Sequence, residues 1–254
     1  MNLALVGYGR MGREVEAMAA RRGHAVVAVF DPASSGRRVK RRLDPAGLAG
    51  AEVAFEFTAP QAAEANVVAL LEAGVAVVCG TTGWPLASCA IRTAARRSGR
   101  GAVLAPNFSI GMALFSEVAA EAARRFLAAG GYDPFVVEFH HRGKKDAPSG
   151  TAQALAAAVA AAGGENREVV VGVPSGPVEP GAVHVASVRA GHETGTHTVG
   201  FDGENDVVTL THRTRGRAGL ALGAVLAAEW VRKRRGVHGF DRVVADLVRG
   251  GGRT

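Results

Sequence analysis

The densest run of chemically capable residues is Glu138-Phe139-His140-His141-Arg142-Gly143-Lys144-Lys145-Asp146-Ala147-Pro148-Ser149-Gly150-Thr151-Ala152. Two histidines, two lysines and an arginine crowd a polar loop that leaves a strand pattern and ends at Pro-Ser-Gly-Thr before an apolar helix pattern. Such a loop offers cations to a carboxylate, and to negative charge that develops during a reaction. A histidine titrating near neutrality and a lysine ammonium can each hand over a proton. Ser149 suits a helix N-cap, and the amides of Gly150 and Thr151 just after it would face an anion at the positive end of the helix dipole. By residue type alone, a solvated basic loop with an ordinary helix cap competes with this chemistry. His140 and His141 also raise the question of zinc, but no third ligand lies nearby at useful spacing, and no metal is expected.

A second group stands at the start of the chain. Gly7-Tyr8-Gly9-Arg10-Met11-Gly12 fits G-x-G-x-x-G directly after an apolar run and at the start of a helical pattern. Glycine is needed there because the chain turns tightly and the backbone must approach a pyrophosphate at a helix N-terminus. Asp31 ends the second apolar run about 20 residues on, the distance at which an acid meets the adenosine ribose. Its carboxylate favours NADH, whereas Arg37, Arg38 and Lys40 could offset its repulsion of a 2′-phosphate; NADH, NADPH or both remain open. Gly80-Thr81-Thr82-Gly83 and Ala105-Pro106-Asn107-Phe108 follow two later apolar runs. At the carboxyl ends of strands, Gly80, Thr81, Thr82, Ala105, Pro106, Asn107 and Phe108 would touch the nicotinamide half of the cofactor.

The elements that must position these groups follow from periodicity. Short apolar runs at Leu3–Val6, Ala25–Phe30, Val53–Phe57, Val75–Cys79 and Val103–Ala105 alternate with helical patterns at Arg10–Arg22, Gln61–Ala73 and from near Pro85. Strict alternation of strand and helix points to a doubly wound, Rossmann-type parallel sheet, an α/β fold. After Phe108 the grammar changes. Helices over about Gly111–Ala128 and from Ser149 mix with strands at Phe135–Phe139, Val169–Val173, Ala182–Arg189, Thr196–Phe201 and Val207–Arg213. Those strands suit an antiparallel or mixed sheet with one covered face, and Asp202-Gly203-Glu204-Asn205-Asp206 reads as a hairpin. Helical patterning returns at Ala218–Arg235 and Phe240–Val248. The expected division is a dinucleotide-binding domain over 1–108 and 218–254, and an α+β substrate-binding and oligomerisation domain over 109–217.

Composition narrows the function classes. The 254 residues, 48% hydrophobic and 21% charged, describe an ordinary globular protein. No apolar stretch approaches the roughly 20 residues that span a bilayer, and the first residues lack a secretory signal. Two cysteines, Cys79 and Cys89, form no zinc or disulfide pattern, so a reduced cytoplasmic protein is expected. A net charge of +7 raises nucleic acid, but aromatics are only 6% and are not interleaved with the basic clusters, so no nucleic-acid partner is expected. The positive field suits a phosphorylated cofactor and a dicarboxylate instead.

The run Glu138–Ala152 resembles the E-x-H-H-x-x-K-x-D-A-P-S-G-T-A signature of the 4-hydroxy-tetrahydrodipicolinate (dihydrodipicolinate) reductase family. The resemblance extends along nearly the whole chain, through GYGRMGR, GTTGW, APNFSIG, GHETGTHTVGFDGENDVVTLTHRTRGR and GAVLAAEW. It implies NAD(P)H-dependent reduction of a cyclic imine in diaminopimelate and lysine biosynthesis, with hydride from the nicotinamide. It also implies His140 as the active-site histidine, Lys144 as the active-site lysine and proton donor, and His141, Gly150 and Thr151 as substrate contacts with Ser149 beside them. Which of His140 and Lys144 gives the proton stays open at this point. A homotetramer built through the second domain's sheets is implied too, as is a first domain completed by the C-terminal helices. The chain departs from the family's pattern at Val6, where many members have glycine, and at Leu220, where an aromatic residue is common. The rival reading is a sister dehydrogenase acting on another amino-acid-derived substrate, which would share the glycine loop but not the His-His, Lys and Ser-Gly-Thr loop.

Overall fold

A computed structural model describes residues 1–36, 39–48, 50–86, 88–162 and 167–250. The chain forms two compact units, residues 1–110 with 217–254, and residues 111–216. Arg37 and Arg38 lie outside the described residues.

Seven strands make the sheet of the first unit: β1 (Asn2–Val6), β2 (Ala25–Phe30), β3 (Val39–Lys40), β4 (Val53–Glu56), β5 (Ala76–Cys79), β6 (Gly101–Leu104) and β12 (Gly236–His238). All adjacent pairs are parallel, in the order β12-β6-β5-β4-β1-β2-β3. The sheet is the doubly wound α/β arrangement expected. Four of its strands are runs of Val, Ala, Leu and Phe buried on both faces, as a parallel sheet covered by helices requires. Phe55, Leu3, Leu5, Leu70 and Leu71 are fully buried. Each such side chain contributes about 1.5–3 kcal/mol by leaving water.

The covering helices are α1 (Arg10–Arg21), α2 (Pro60–Glu72), α3 (Cys89–Ser98), α6 (Ala218–Val231) and α7 (Phe240–Arg249). Helix α1 buries Gly12, Val15 and Ala19, with Met11 and Met18 at the edge of that stripe. Helix α6 buries nine residues and is apolar nearly all round, because it packs on α1 and on β4, β5 and β6 at once. Two expected boundaries move. The helix placed near Pro85 begins at Cys89, because the Ser88 hydroxyl accepts from the Ile91 amide at 3.3 Å and caps it there. The helix placed as far as Arg235 stops at Val231, because the chain turns at Gly236 (φ +87°) to add β12 beside β6. Strands β3 and β12 have two and three residues, too short for any period to show.

The second unit holds a five-stranded mixed sheet: β7 (Tyr132–His140), β8 (Val169–Val171), β9 (Val183–Arg189), β10 (Thr196–Gly203) and β11 (Val207–Arg213), in the order β11-β10-β7-β9-β8. Strand β10 is antiparallel to β7 and β11, and β9 is parallel to β7 and β8. The hairpin between β10 and β11 closes with the Gly203 amide on the Asp206 carbonyl at 2.9 Å. Two helices, α4 (Ile110–Ala129) and α5 (Gly150–Ala162), cover one face. There Val136, Val199 and Phe201 pack with Ala119, Ala123, Leu155 and Val159. On β7 the buried row Pro134, Val136, Glu138 faces this core, which puts an acid where the pattern demands an apolar residue.

Candidate active site

In the first unit the final residues of five strands lie in one register, Phe30 beside Val6, Val6 beside Glu56, Glu56 beside Cys79 and Cys79 beside Leu104. Every sequence-chosen cofactor residue therefore falls on one edge of the sheet. Between β1 and β4 the strand order reverses, and the glycine turn sits at that switch point, where open α/β sheets bind ligands.

The glycines of the turn have different reasons to be glycine. Gly7 has φ +93°, and a Cβ there would collide with the Phe57 carbonyl. At Gly12 a Cβ would collide with the Gly7 carbonyl, so the helix packs onto the turn only without one. Gly9, the N-cap of α1, has φ −78° and open space beyond it. Among the described residues, nothing requires glycine at that position. Val6 is the buried last residue of β1, so the turn begins at Gly7.

Asp31 is buried at the end of β2 and accepts from the amides of Tyr8 at 2.6 Å, Ala33 at 2.7 Å and Ser34 at 3.0 Å. Burial opposes its charge, but these amide bonds outweigh that and hold its carboxyl below the usual range. Thr81 is also buried; its hydroxyl donates to Glu56 at 2.6 Å and accepts from the Thr58 amide at 2.8 Å. Gly80 admits no Cβ because the Phe57 ring fills that space. Thr82 and Pro106 are exposed, and Asn107 caps its own turn through the Ser109 amide at 2.8 Å. Ala105 is buried, and the Phe108 ring lies in the core, edge-on to Phe240 with centroids 5.0 Å apart. Phe108 thus offers a ligand its backbone rather than its ring.

In the second unit the register builds a polar row across an apolar face. Glu138 on β7 stands opposite His197 on β10 and Ser187 on β9, and His197 stands opposite His212 on β11. Glu138 is fully buried. Its Oε1 accepts from the Ser149 amide at 3.0 Å, the Ser187 hydroxyl at 2.7 Å and Arg189 Nη2 at 2.5 Å. Its Oε2 pairs with His140 Nδ1. Burial resists ionisation, but the bonds from Arg189, Ser187 and the Ser149 amide, with the His140 charge, bring this carboxyl down to about 2.

His140 is mostly enclosed, and its ring meets His197 edge-on with centroids 5.2 Å apart. Burial lowers its pKa, Glu138 opposes that, and the Lys144 and Arg189 charges add to the lowering. His197 is brought down to about 4, chiefly by burial. Its Nε2 lies 3.3 Å from the Ser149 hydroxyl, which in turn accepts from the Ala152 amide at 3.1 Å and caps α5. The N-cap read from sequence is thus itself braced from β10. Gly150 at the helix start has open space around it, Thr151 is half-buried and His141 is exposed. Lys144 pairs with Asp146 at 2.6 Å, and Arg189 ties the loop down through the Asp146 carbonyl at 2.7 Å. Asp146 is held below its usual range first by Lys144, with help from the Gly150 amide.

Sequence spacing gave His140 no third metal-ligand partner, but the structure brings Glu138, His140 and His197 within 4.8 Å of one another. Glu138, Arg189, Ser187 and His197 were missed as site residues. The available signal was a polar residue at an inward position of an alternating strand.

Comparison with known proteins bears on both units. The family model described as dihydrodipicolinate reductase, N-terminus, matches residues 1–108, and that described as dihydrodipicolinate reductase, C-terminus, matches 111–244. A 4-hydroxy-tetrahydrodipicolinate reductase of Thiobacillus denitrificans is 40% identical over 256 residues, covering 92% of this chain and 94% of the relative. One from Christiangramia forsetii is 31% identical over 250 residues, covering 98% and 100%. Among solved structures, dipicolinate-bound dihydrodipicolinate reductase from Paenisporosarcina sp. TG-14 matches in fold with a TM-score of 0.77 at 24% identity, covering 94% and 97%.

Proposed function

The chain belongs to the dihydrodipicolinate reductase family, and we propose that His140, His141, Lys144, Ser149, Gly150 and Thr151 form its substrate site. It is an NAD(P)H-dependent oxidoreductase that reduces 4-hydroxy-tetrahydrodipicolinate to tetrahydrodipicolinate in diaminopimelate and lysine biosynthesis. Family models matching both halves favour this over a sister dehydrogenase, which would share mainly the glycine loop.

The reduced nicotinamide, when bound, supplies the hydride. Gly9 and the first amides of α1 hold its diphosphate, Asp31 the adenosine ribose, and the turns after β5 and β6 the nicotinamide half. The open space at Gly9 supports this assignment. As hydride adds to the conjugated imine, negative charge moves into the ring. The Lys144 ammonium stabilises that charge, and a proton from the site quenches it.

The observation that carries the substrate assignment is the Lys144–Asp146 pair at the start of α5. This loop already holds a carboxylate on a lysine and a helix-start amide, and an incoming dicarboxylate would take its place. Calorimetric titration with dipicolinate tests it. Lys144→Ala should weaken binding at least about tenfold, or ~1.4 kcal/mol. Equal binding by both proteins would remove Lys144 from the site.

Residues 1–108 with 218–254 serve as the cofactor domain, and 109–217 as the substrate and oligomerisation domain. The helix-free face of the second unit's sheet supports assembly as a homotetramer. It exposes Phe139, Val188 and Val207, and carries the Thr198–Thr211 hydroxyl pair at 3.0 Å. Apolar side chains in such an open row favour burial against a second copy. Light scattering should give four times the 26.1 kDa chain mass, and a monomer would refute the assembly. We place the enzyme in the cytoplasm, where the free thiols of Cys79 and Cys89 stay reduced.

A further inference from the structure

We propose that Glu56 is a positioning residue that sets Thr81, and through Thr81 the turn after β5 assigned to the nicotinamide half of the cofactor. The proposal rests on the cofactor site given above and adds a residue that does not itself touch the ligand.

Glu56 ends β4, a strand otherwise made of Val, Ala and Phe and buried on both faces. Its neighbours in register are Val6 of β1 and Cys79 of β5, so it stands where the strand order reverses. The side chain is fully buried. An acid in such a place is costly unless its acceptor positions are filled. Oε1 accepts from the Thr58 hydroxyl and from Asn66 Nδ2 at 3.2 Å. Oε2 accepts from the Cys79 thiol at 3.2 Å and the Thr81 hydroxyl at 2.6 Å. A carboxylate has about four such positions, and donors from α2, β5 and two turns take them. Burial, with Glu56 beside it, pushes the Cys79 thiol up, which keeps it a donor.

Thr81 is pinned at every polar group. Its hydroxyl accepts from the Thr58 amide at 2.8 Å and so gives its own hydrogen to Glu56. Its carbonyl accepts from Trp84 Nε1 at 2.8 Å, and its amide bonds to the Cys79 sulfur. Thr81 therefore holds the turn from inside, and Gly80, Thr82 and Gly83, none of them buried, are left to face a ligand.

The glycine turn after β1 is held by other bonds. The Gly7 amide donates to the Phe30 carbonyl at 2.8 Å, and the Tyr8 amide to Asp31 at 2.6 Å. Glu56 takes part in neither. Its loss should act on the nicotinamide half of the site and spare the adenosine half.

The test compares NADH with ADP-ribose, which has the adenosine and diphosphate but no nicotinamide, by calorimetric titration of the full-length protein. The forms are wild type, Glu56→Gln, Thr81→Val, Thr81→Ser and the double variant Glu56→Gln with Thr81→Val. Glutamine keeps one acceptor oxygen, so one pair of donors meets an amide nitrogen instead. Glu56→Gln and Thr81→Val should each weaken NADH binding about tenfold and change ADP-ribose by less than about twofold. The double variant should lose little more than either alone, because both break one linkage. Thr81→Ser keeps the hydroxyl and should bind NADH like wild type. Equal weakening of both ligands, unchanged NADH affinity in Glu56→Gln, or additive losses in the double variant would each overturn the proposal. Should Glu56→Gln fail to fold, the Thr81 variants decide: NADH affinity kept in Thr81→Val, or lost as much in Thr81→Ser, overturns it. A folded wild type that binds neither ligand would instead overturn the cofactor site on which the proposal rests.

Discussion

The Tyr8 amide donates to Asp31 Oδ2 at 2.6 Å. This bond ties the glycine turn after β1 to the end of β2 across 23 residues of sequence. The acid proposed to meet the ribose thus also braces the glycine turn. Its Oδ1 carries a second load, the amides of Ala33 and Ser34.

Asp31→Asn removes the charge and keeps one acceptor oxygen for the Ala33 and Ser34 amides, but its amide nitrogen cannot accept from the Tyr8 amide. The variant should therefore lose some stability, about 1–3 kcal/mol, and shift the ratio of kcat/KM values towards NADPH by about tenfold, or ~1.4 kcal/mol of relieved repulsion. Steady-state kinetics with both cofactors give the ratio. No change in it would remove Asp31 from contact with the ribose.

Gly7 and Gly9 should respond oppositely to alanine. Gly9→Ala meets open space at an ordinary φ, so melting temperature should barely move while NADH binding weakens at least about tenfold. Gly7→Ala meets the Phe57 carbonyl at positive φ and should destabilise the protein by about 1–3 kcal/mol. Similar nucleotide affinity in wild type and Gly9→Ala would mean that the diphosphate does not rest on that turn.

Lys144→Ala should lower kcat by about 10²-fold or more, the scale of a lost general acid, with nucleotide affinity almost unchanged. Stopped-flow hydride transfer and fluorescence titration of NADH measure the two quantities. Turnover close to wild type would assign the proton to another group.

Acid should destabilise the protein in two windows. Unfolded His197 takes a proton near its ordinary 6.5 but the folded residue only near 4, so unfolding takes up a proton between those values. Stability is therefore lost as pH falls from 6.5 to about 4, by up to ~3 kcal/mol. Glu138 acts next. Its folded value of about 2 against an ordinary 4.5 means that its contribution is intact above 4.5 and lost as pH falls towards 2. Urea denaturation at stepped pH checks both, and His197→Gln should flatten the upper window. An equal slope in that variant would mean that His197 is not neutralised by burial.

The glycine turn after β1 and the Ser149 cap were legible because their signals are local. Glycine spacing, an acid at a strand end and a hydroxyl before an apolar helix each report on neighbours within a few residues. The partners of His140 were not. Glu138 meets Ser187 and His197 only through the register of β7 with β9 and β10, and His140 meets Arg189 the same way. Chain separations of about 50 residues leave no periodic trace. What the sequence does carry is the anomaly of Glu138 and His197 at inward positions among Val136, Val199 and Phe201. A charged residue on that face needs partners, and those partners are Arg189, Ser187 and the Ser149 amide. Boundaries failed where a cap or turn overrode periodicity, at Ser88 and at Gly236.

The most direct measurement is oxidation of NADH and NADPH by the purified protein, with 4-hydroxy-tetrahydrodipicolinate generated freshly in the assay. Rapid oxidation that depends on this substrate, with at least one of the two cofactors, is the expected result. No oxidation with either, by folded protein that still binds nucleotide, would contradict the assigned reaction.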